Sequence, residues 1–188
     1  MSTLLFETLQ GRACLGLKGP NAAEWLVTRG VVLPMSPNSW THSGTPGDSD
    51  ELLVARLGTA EFFLENAAAS PGLSDLKPAL TACPPGVYPV LREDSAFRLS
   101  GEGVHEALAQ VCNVHFAGLA LDPRPVIMTL MIGVAVLVVP QGTAIERRYR
   151  IWCDPTFGPS LSENLAVVVA DCGGTIPGGA RAGGEPRL

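Results

Sequence analysis

No hydrophobic run in this chain reaches the roughly 20 residues that a helix needs to span a bilayer. The main apolar stretch, Val126 to Val139 (VIMTLMIGVAVLVV), stops at fourteen residues, a length that belongs inside protein rather than in lipid. Positive charge is scarce as well. Thirteen Lys and Arg stand against 18 Asp and Glu, the net charge is −5, and no basic run is longer than Arg147-Arg148. Nucleic acid binding rests on clustered cations facing phosphate, so it is an unfavourable function class here. The amino terminus, MSTLLFETLQGR, lacks the basic region, apolar core and small-residue cleavage site of a secretory signal. The expectation is a cytoplasmic protein without membrane association.

Metal-ligand and disulfide spacings are also missing. The five cysteines, Cys14, Cys83, Cys112, Cys153 and Cys172, are odd in number, widely separated and without a C-x-x-C pair. They read as reduced thiols, mostly buried as small hydrophobes. His42, His105 and His115 form no H-x-x-x-H or His/Cys spacing, so no metal site is expected.

Motifs for group transfer fail in the same way. Gly101-Glu102-Gly103 stands where a strand hands over to a helix, but the third glycine of G-x-G-x-x-G would fall on Glu106, whose carboxylate opposes a phosphate. No P-loop and no G-x-S-x-G elbow occurs. His105 and His115 have no recognisable partner, and nothing lowers the pKa of Cys153 beside Trp152; they read as surface histidines and a packing cysteine. Arg147, Arg148 and Arg150 alternate so that two guanidiniums can share a sheet face. They can bind a carboxylate, but a solvated edge strand or a subunit contact is the simpler reading. No catalytic residue is expected.

What is present is a foldable core. With 188 residues, 46% hydrophobic and 16% charged, the chain lies outside the disordered class and can bury about 70% of its unfolded surface. The low charge content suggests a surface partly covered by a partner. In Val126 to Val139 the β-branched residues favour pleated sheet, and Gly133 supplies a turn, giving two buried strands joined at Ile132-Gly133.

The remaining elements follow in order. Residues 1–11 read as an amino-terminal extension. Arg12 to Lys18 is a strand, and Gly19-Pro20-Asn21 opens a helix carrying Ala22, Trp25 and Leu26. Pro34 to Asp50, rich in Pro, Ser and Gly, reads as a surface loop. Leu52 to Glu65 is a strand pair around Gly58, and Ser70-Pro71 starts a helix with Leu73, Leu76 and Leu80, with Pro78 expected to kink it or delay its start. Val87 to Leu91 is an edge strand because of Pro89. Ser95 to Leu99 is a strand leading to a helix with Val104, Ala107, Leu108 and Val111 on one face. Arg148 to Cys153 is a strand, Leu161 to Cys172 a closing helix, and 173–188 a flexible Gly/Pro-rich tail.

An internal repeat links these elements. Leu17-Lys18-Gly19 and Leu99-Ser100-Gly101 each precede a helix at a shift of 82, and Gly58 matches Gly133 at a shift of 75. The fold class is therefore α+β, with two pseudo-repeated ferredoxin-like halves (about 12–91 and 92–172) built of antiparallel sheets and packed helices.

Five phrases carry a resemblance: L-x-L-x-G-x-x-A-x-x-W-L (Leu15 to Leu26), ARLGTAEFFLE (Ala55 to Glu65), FRLSGEGVHEALAQVC (Phe97 to Cys112), TLMIGVAVLVV (Thr129 to Val139) and YRIWCDPTFGPSLSENL (Tyr149 to Leu165). In their order and spacing, across about residues 12–172, the chain resembles the gamma subunit of heterotetrameric sarcosine oxidase. The family often carries arginine where this chain has Leu130, in T-R-M-x-G-V.

The resemblance implies an aminomethyltransferase folate-binding-domain-like fold and a non-catalytic structural subunit of a flavin-dependent complex that demethylates secondary amines. It implies that the chain alone binds no cofactor, while FAD, FMN, NAD and tetrahydrofolate belong to the larger subunits, chiefly an alpha-like partner. Two other readings stand beside it. One is a stand-alone folate-binding or one-carbon-transfer protein, whose pterin pocket would need a carboxylate and an aromatic wall; Glu61, Asp94 and Trp152 are the candidates. The other is a self-associating module, a homodimer when isolated.

Overall fold

The structure is a computed structural model that describes residues 3–44, 51–68, 70–143 and 146–177. In chain order its elements are β1 (Leu5–Thr8), β2 (Arg12–Lys18), α1 (Ala22–Val27), β3 (Ser39–Ser43), β4 (Leu52–Arg56), β5 (Glu61–Ala67), α2 (Pro71–Thr81) and β6 (Tyr88–Val90). They continue with β7 (Ser95–Ser100), α3 (Val104–Val111), β8 (Ile127–Met131), β9 (Val134–Gly142), β10 (Arg147–Cys153) and α4 (Gly158–Asp171). The strands form two antiparallel five-stranded sheets, β3-β4-β5-β2-β6 and β1-β7-β10-β9-β8. The α+β class with paired antiparallel sheets stands as expected.

Period-two alternation explains how the sheets stack. In the first sheet Leu15, Leu17, Phe62 and Leu64 pack under α1 and α2 with Trp25, Leu26, Leu73 and Leu76. In the second, Phe97, Leu99, Val138 and Ile151 pack under α3 and α4 with Leu108, Leu161 and Leu165. The intervening residues point the other way. Cys14, Leu53, Ala55 and Phe63 of the first sheet meet Ala96, Leu137, Val139 and Trp152 of the second in a third core cluster. The layers therefore run helices, sheet, sheet, helices. Val126 to Val139 is apolar on both faces: one lies under helices, and the other meets the first sheet through Val126, Leu137 and Val139.

Each half is a strand-helix-strand-strand-strand-helix unit, and the halves exchange a strand. β6, which precedes β7, pairs with β2 of the first sheet, while β1, which precedes β2, pairs with β7 of the second. Residues 3–11 are thus more than an extension: Leu4 and Phe6 are core residues of the second sheet. The tail is anchored where it begins, since the Thr175 amide donates to Leu4 O (2.8 Å) and the Phe6 amide to Thr175 O (3.1 Å). The rest of the expected tail, 178–188, lies outside the described residues.

Two further expectations need correction. The polar segment 34–50 contains β3, whose Trp40 and Ser39 are buried and whose backbone pairs with β4; its residues 45–50 lie outside the described residues. Because β3 completes the unit, Gly58 sits in the β4–β5 turn while Gly133 sits between β8 and β9, the counterpart of β3–β4. The repeat at Gly58 and Gly133 is therefore displaced by one strand. β10 is central, between β7 and β9, so its arginines do not sit on an edge strand.

The β8–β9 turn has two left-handed residues, Ile132 (φ 50°) and Gly133 (φ 80°), the conformation of a tight type I′ hairpin. A Cβ on Gly133 meets no atom within 4 Å, so substitution there is penalised by backbone conformation alone. Gly133→Val is expected to lower stability by about 1–2 kcal/mol and Ile132→Asn to raise it by up to about 1 kcal/mol, both read by urea denaturation.

Candidate functional site

The inner face of the second sheet extends past the first sheet at its β8 edge. Met128 and Leu130 stand opposite Leu137 and Ala135 in the ladder and so share the inner face with buried Leu137. They are nevertheless 57% and 59% exposed, because no strand of the first sheet covers them. The result is a cavity of about 620 Å³ bordered by Leu57, Leu91, Arg92, Asp94, Leu137 and Trp152, with Met128 and Leu130 at its edge.

Two of the three sequence candidates, Asp94 and Trp152, border this cavity. Glu61 does not, but its Oε1 lies 3.9 Å from Nη2 of Arg92, which does. Arg92 also approaches Asp94, Nη1 to Oδ1 at 3.6 Å, and its guanidinium lies 5.6 Å from the centroid of Phe63. Phe63 in turn meets Trp152 edge-on at 5.2 Å. The structure thus groups the three candidates around Arg92, a residue the sequence reading passed over because it lies in an irregular segment with no periodicity.

Three buried polar atoms here, Asp94 Oδ2, Arg92 Nε and Trp152 Nε1, have no hydrogen-bond partner among the described residues. Burial raises the pKa of Asp94, and the pull of Arg92 in the opposite direction is the smaller effect. Burial wins because the ion pair is long and one carboxylate oxygen is unsatisfied. The Asp94 carboxyl group is thus flanked by a cation and an aromatic wall. Cys153 also borders the cavity, but burial, then Asp94 and Asp154, push its thiol up to about 11. It is a thiol and not a thiolate at neutral pH, as a packing cysteine should be.

The raised pKa sets the sign of a pH effect. A carboxyl group that holds its proton more tightly when folded contributes stability below its unfolded pKa and loses it as pH rises through the folded value. Asp94→Asn is therefore expected to raise the melting temperature relative to wild type at pH 7, with the difference shrinking below the ordinary carboxylate pKa. Thermal denaturation of both proteins across that pH range checks it.

A second polar constellation joins the sheets. Glu65 of β5 is fully buried and accepts hydrogen bonds from Arg150 Nη1 of β10 through Oε1 (2.9 Å) and Oε2 (2.8 Å). Arg12 Nε of β2 also donates to Oε1. The carboxylate that Arg150 binds is thus the chain's own. Arg147 points to the other face, where Nη1 and the Tyr149 hydroxyl both meet His105 Nε2, at 3.0 and 2.6 Å. His105 is consequently partnered, not a free surface histidine, and burial followed by Arg147 lowers its pKa.

Among the described residues no group of His, Cys, Asp or Glu could hold a metal ion, and no helix is long and apolar enough to cross a membrane.

No family model matches this sequence, and no curated protein matches it. Solved structures do. A chain of heterotetrameric sarcosine oxidase from Corynebacterium sp. U-96, solved in complex with pyrrole 2-carboxylate, superposes with a TM-score of 0.67 at 22% identity, over 92% of this chain and 86% of that one. Aminomethyltransferase T of the glycine cleavage system from Bartonella henselae superposes with a TM-score of 0.62 at 16% identity, over 88% of this chain and 46% of that one. The chain thus spans a little under half of the aminomethyltransferase. Its two strand-exchanged halves have the fold common to that sarcosine oxidase chain and aminomethyltransferase T.

Proposed function

We propose that this chain is a non-catalytic subunit of a sarcosine-oxidase-like, flavin-dependent complex that demethylates secondary amines. The observation that carries the reading is the uncovered apolar rim of Leu91, Met128 and Leu130, 85%, 57% and 59% exposed, bordering one cavity and lying partly on an edge strand. Contiguous apolar surface beside an unpaired sheet edge is a feature that monomers avoid and subunit interfaces use. The likeness in fold over most of the length of a heterotetrameric oxidase chain supports a larger oxidase subunit as the occupant. An obligate contact of this kind buries more than about 2,000 Å². FAD, FMN, NAD and tetrahydrofolate sit on the larger chains in this reading.

The test is a Met128→Asp/Leu130→Asp variant co-expressed with the products of neighbouring genes. Wild type should elute with a larger flavin-bearing chain, and the variant should elute alone with an unchanged melting temperature. Retention of the larger chain by the variant would contradict the assignment of the rim.

A second reading, a stand-alone tetrahydrofolate-binding protein, is favoured by Asp94 and Trp152 bordering one cavity. It requires tetrahydrofolate to quench the fluorescence of the isolated chain saturably, and Asp94→Asn to weaken that response. Absence of quenching at millimolar ligand would dismiss it.

A further inference from the structure

Two smaller cavities, of about 320 Å³ and 250 Å³, adjoin each other. Trp40, His42 and Gly142 border both, and neither shares a lining residue with the cavity that holds Asp94. Their walls concentrate cations in a chain whose net charge is −5. Arg12, Arg148 and Arg150 border the larger cavity and Arg124 the smaller, whereas among the described residues Glu51 is the one carboxylate on either wall.

The nearby carboxylates leave this excess standing. Glu65 is shared between Arg12 and Arg150, Glu146 pairs with Arg148 at the surface, and Glu51 is engaged by His42 Nδ1 at 2.7 Å. Among the described residues, four guanidiniums thus face three carboxylates. Burial lowers the pKa of His42 against the pull of Glu51, with Arg124 and Arg150 adding smaller effects in the same direction as burial. Two buried donors in the same walls, Arg150 Nε and Trp40 Nε1, lack an acceptor among the described residues. The Arg124 guanidinium lies 5.3 Å from the Trp40 ring centroid, so a charged group and an aromatic surface are presented side by side.

We propose that this cleft binds a small organic oxyanion, a carboxylate or a phosphate, with Arg148 and Arg124 holding the charged group and Trp40 the apolar part. Guanidinium forks match both headgroups, and an aromatic wall adds contact area without charge. The larger cavity lies at the small end of the range of ligand sites, which limits the ligand to a compact molecule. The site does not depend on the subunit reading, because none of its residues belongs to the Leu91, Met128 and Leu130 rim.

The experiment follows the indole N–H resonance of Trp40, assigned by Trp40→Phe, in the full isolated chain. Benzoate and inorganic phosphate are titrated separately at constant ionic strength, with sodium chloride as control. A saturable shift with a Kd in the millimolar range or tighter is expected for at least one probe, and which probe acts identifies the headgroup. Arg148→Gln and Arg124→Gln should each weaken that affinity about tenfold. Both arginines are at least partly exposed, so the melting temperatures should hold. A resonance unmoved by either probe, a shift that chloride reproduces, or equal affinity in both variants would overturn the proposal.

Discussion

Replacing Glu65 by alanine is expected to lower stability by about 3–5 kcal/mol, the range for breaking a buried ion pair from one side. The carboxylate is 0% exposed and Arg150 only 9% exposed, so water cannot take over when Glu65 is removed. Arg150 would keep its charge, and its two hydrogen bonds to Glu65 would have no substitute acceptor. Arg12, bonded to the same carboxylate, would then repel it across the sheet interface. Glu65→Leu together with Arg150→Met should lose far less, because an apolar pair leaves no stranded charge. Urea denaturation of the single and double variants measures both. A single-variant loss below about 1 kcal/mol, the level of a surface ion pair, would show that the pair is solvated.

Trp152→Ala is expected to cost about 3–5 kcal/mol, as large-to-small changes of buried aromatics do. Trp152 is 1% exposed and packs edge-on against Phe63 of the other sheet at 5.2 Å, so truncation removes an aromatic contact that joins the two halves. It also borders the 620 Å³ cavity, and the space it vacates would open into that cavity instead of closing. Trp152→Phe should retain most of the contact with Phe63 and lose less. The same urea titrations, with an unchanged denaturant slope, distinguish lost packing from a change of unfolded state.

The parts of this fold legible in sequence are those written in local periodicity. The helical spacing of Val104, Ala107, Leu108 and Val111 and the glycine turn at Ile132-Gly133 both appear where expected. Strand pairing is non-local and was harder to read. β3 carries no local strand signal because SWTHS is short and polar, although Trp40 packs into the inter-sheet core. Missing it shifted the second glycine match of the repeat by one strand. β1 is not legible locally because its partner, β7, lies some ninety positions away and no local signal shows that a leading strand crosses to the other half.

The candidate site divides along the same line. Asp94 and Trp152 are candidates as the carboxylate and the aromatic wall that a pterin pocket needs, and they share a cavity. Arg92 joins them only through tertiary packing. Glu65 carried a signal that could have been read: it alternates with Phe63 along β5, which puts a carboxylate on an inward face and calls for a buried cation. Arg150, at the matching parity with Trp152 on β10, is that cation.

The subunit assignment is tested most directly by native mass spectrometry of the tagged chain, isolated from its own cells at endogenous levels. The predicted result is a single assembly in which this chain is bound in fixed stoichiometry to a larger chain that retains flavin and oxidises a secondary amine. Recovery of the chain as a free monomer or a homodimer, with no larger chain attached, would contradict it.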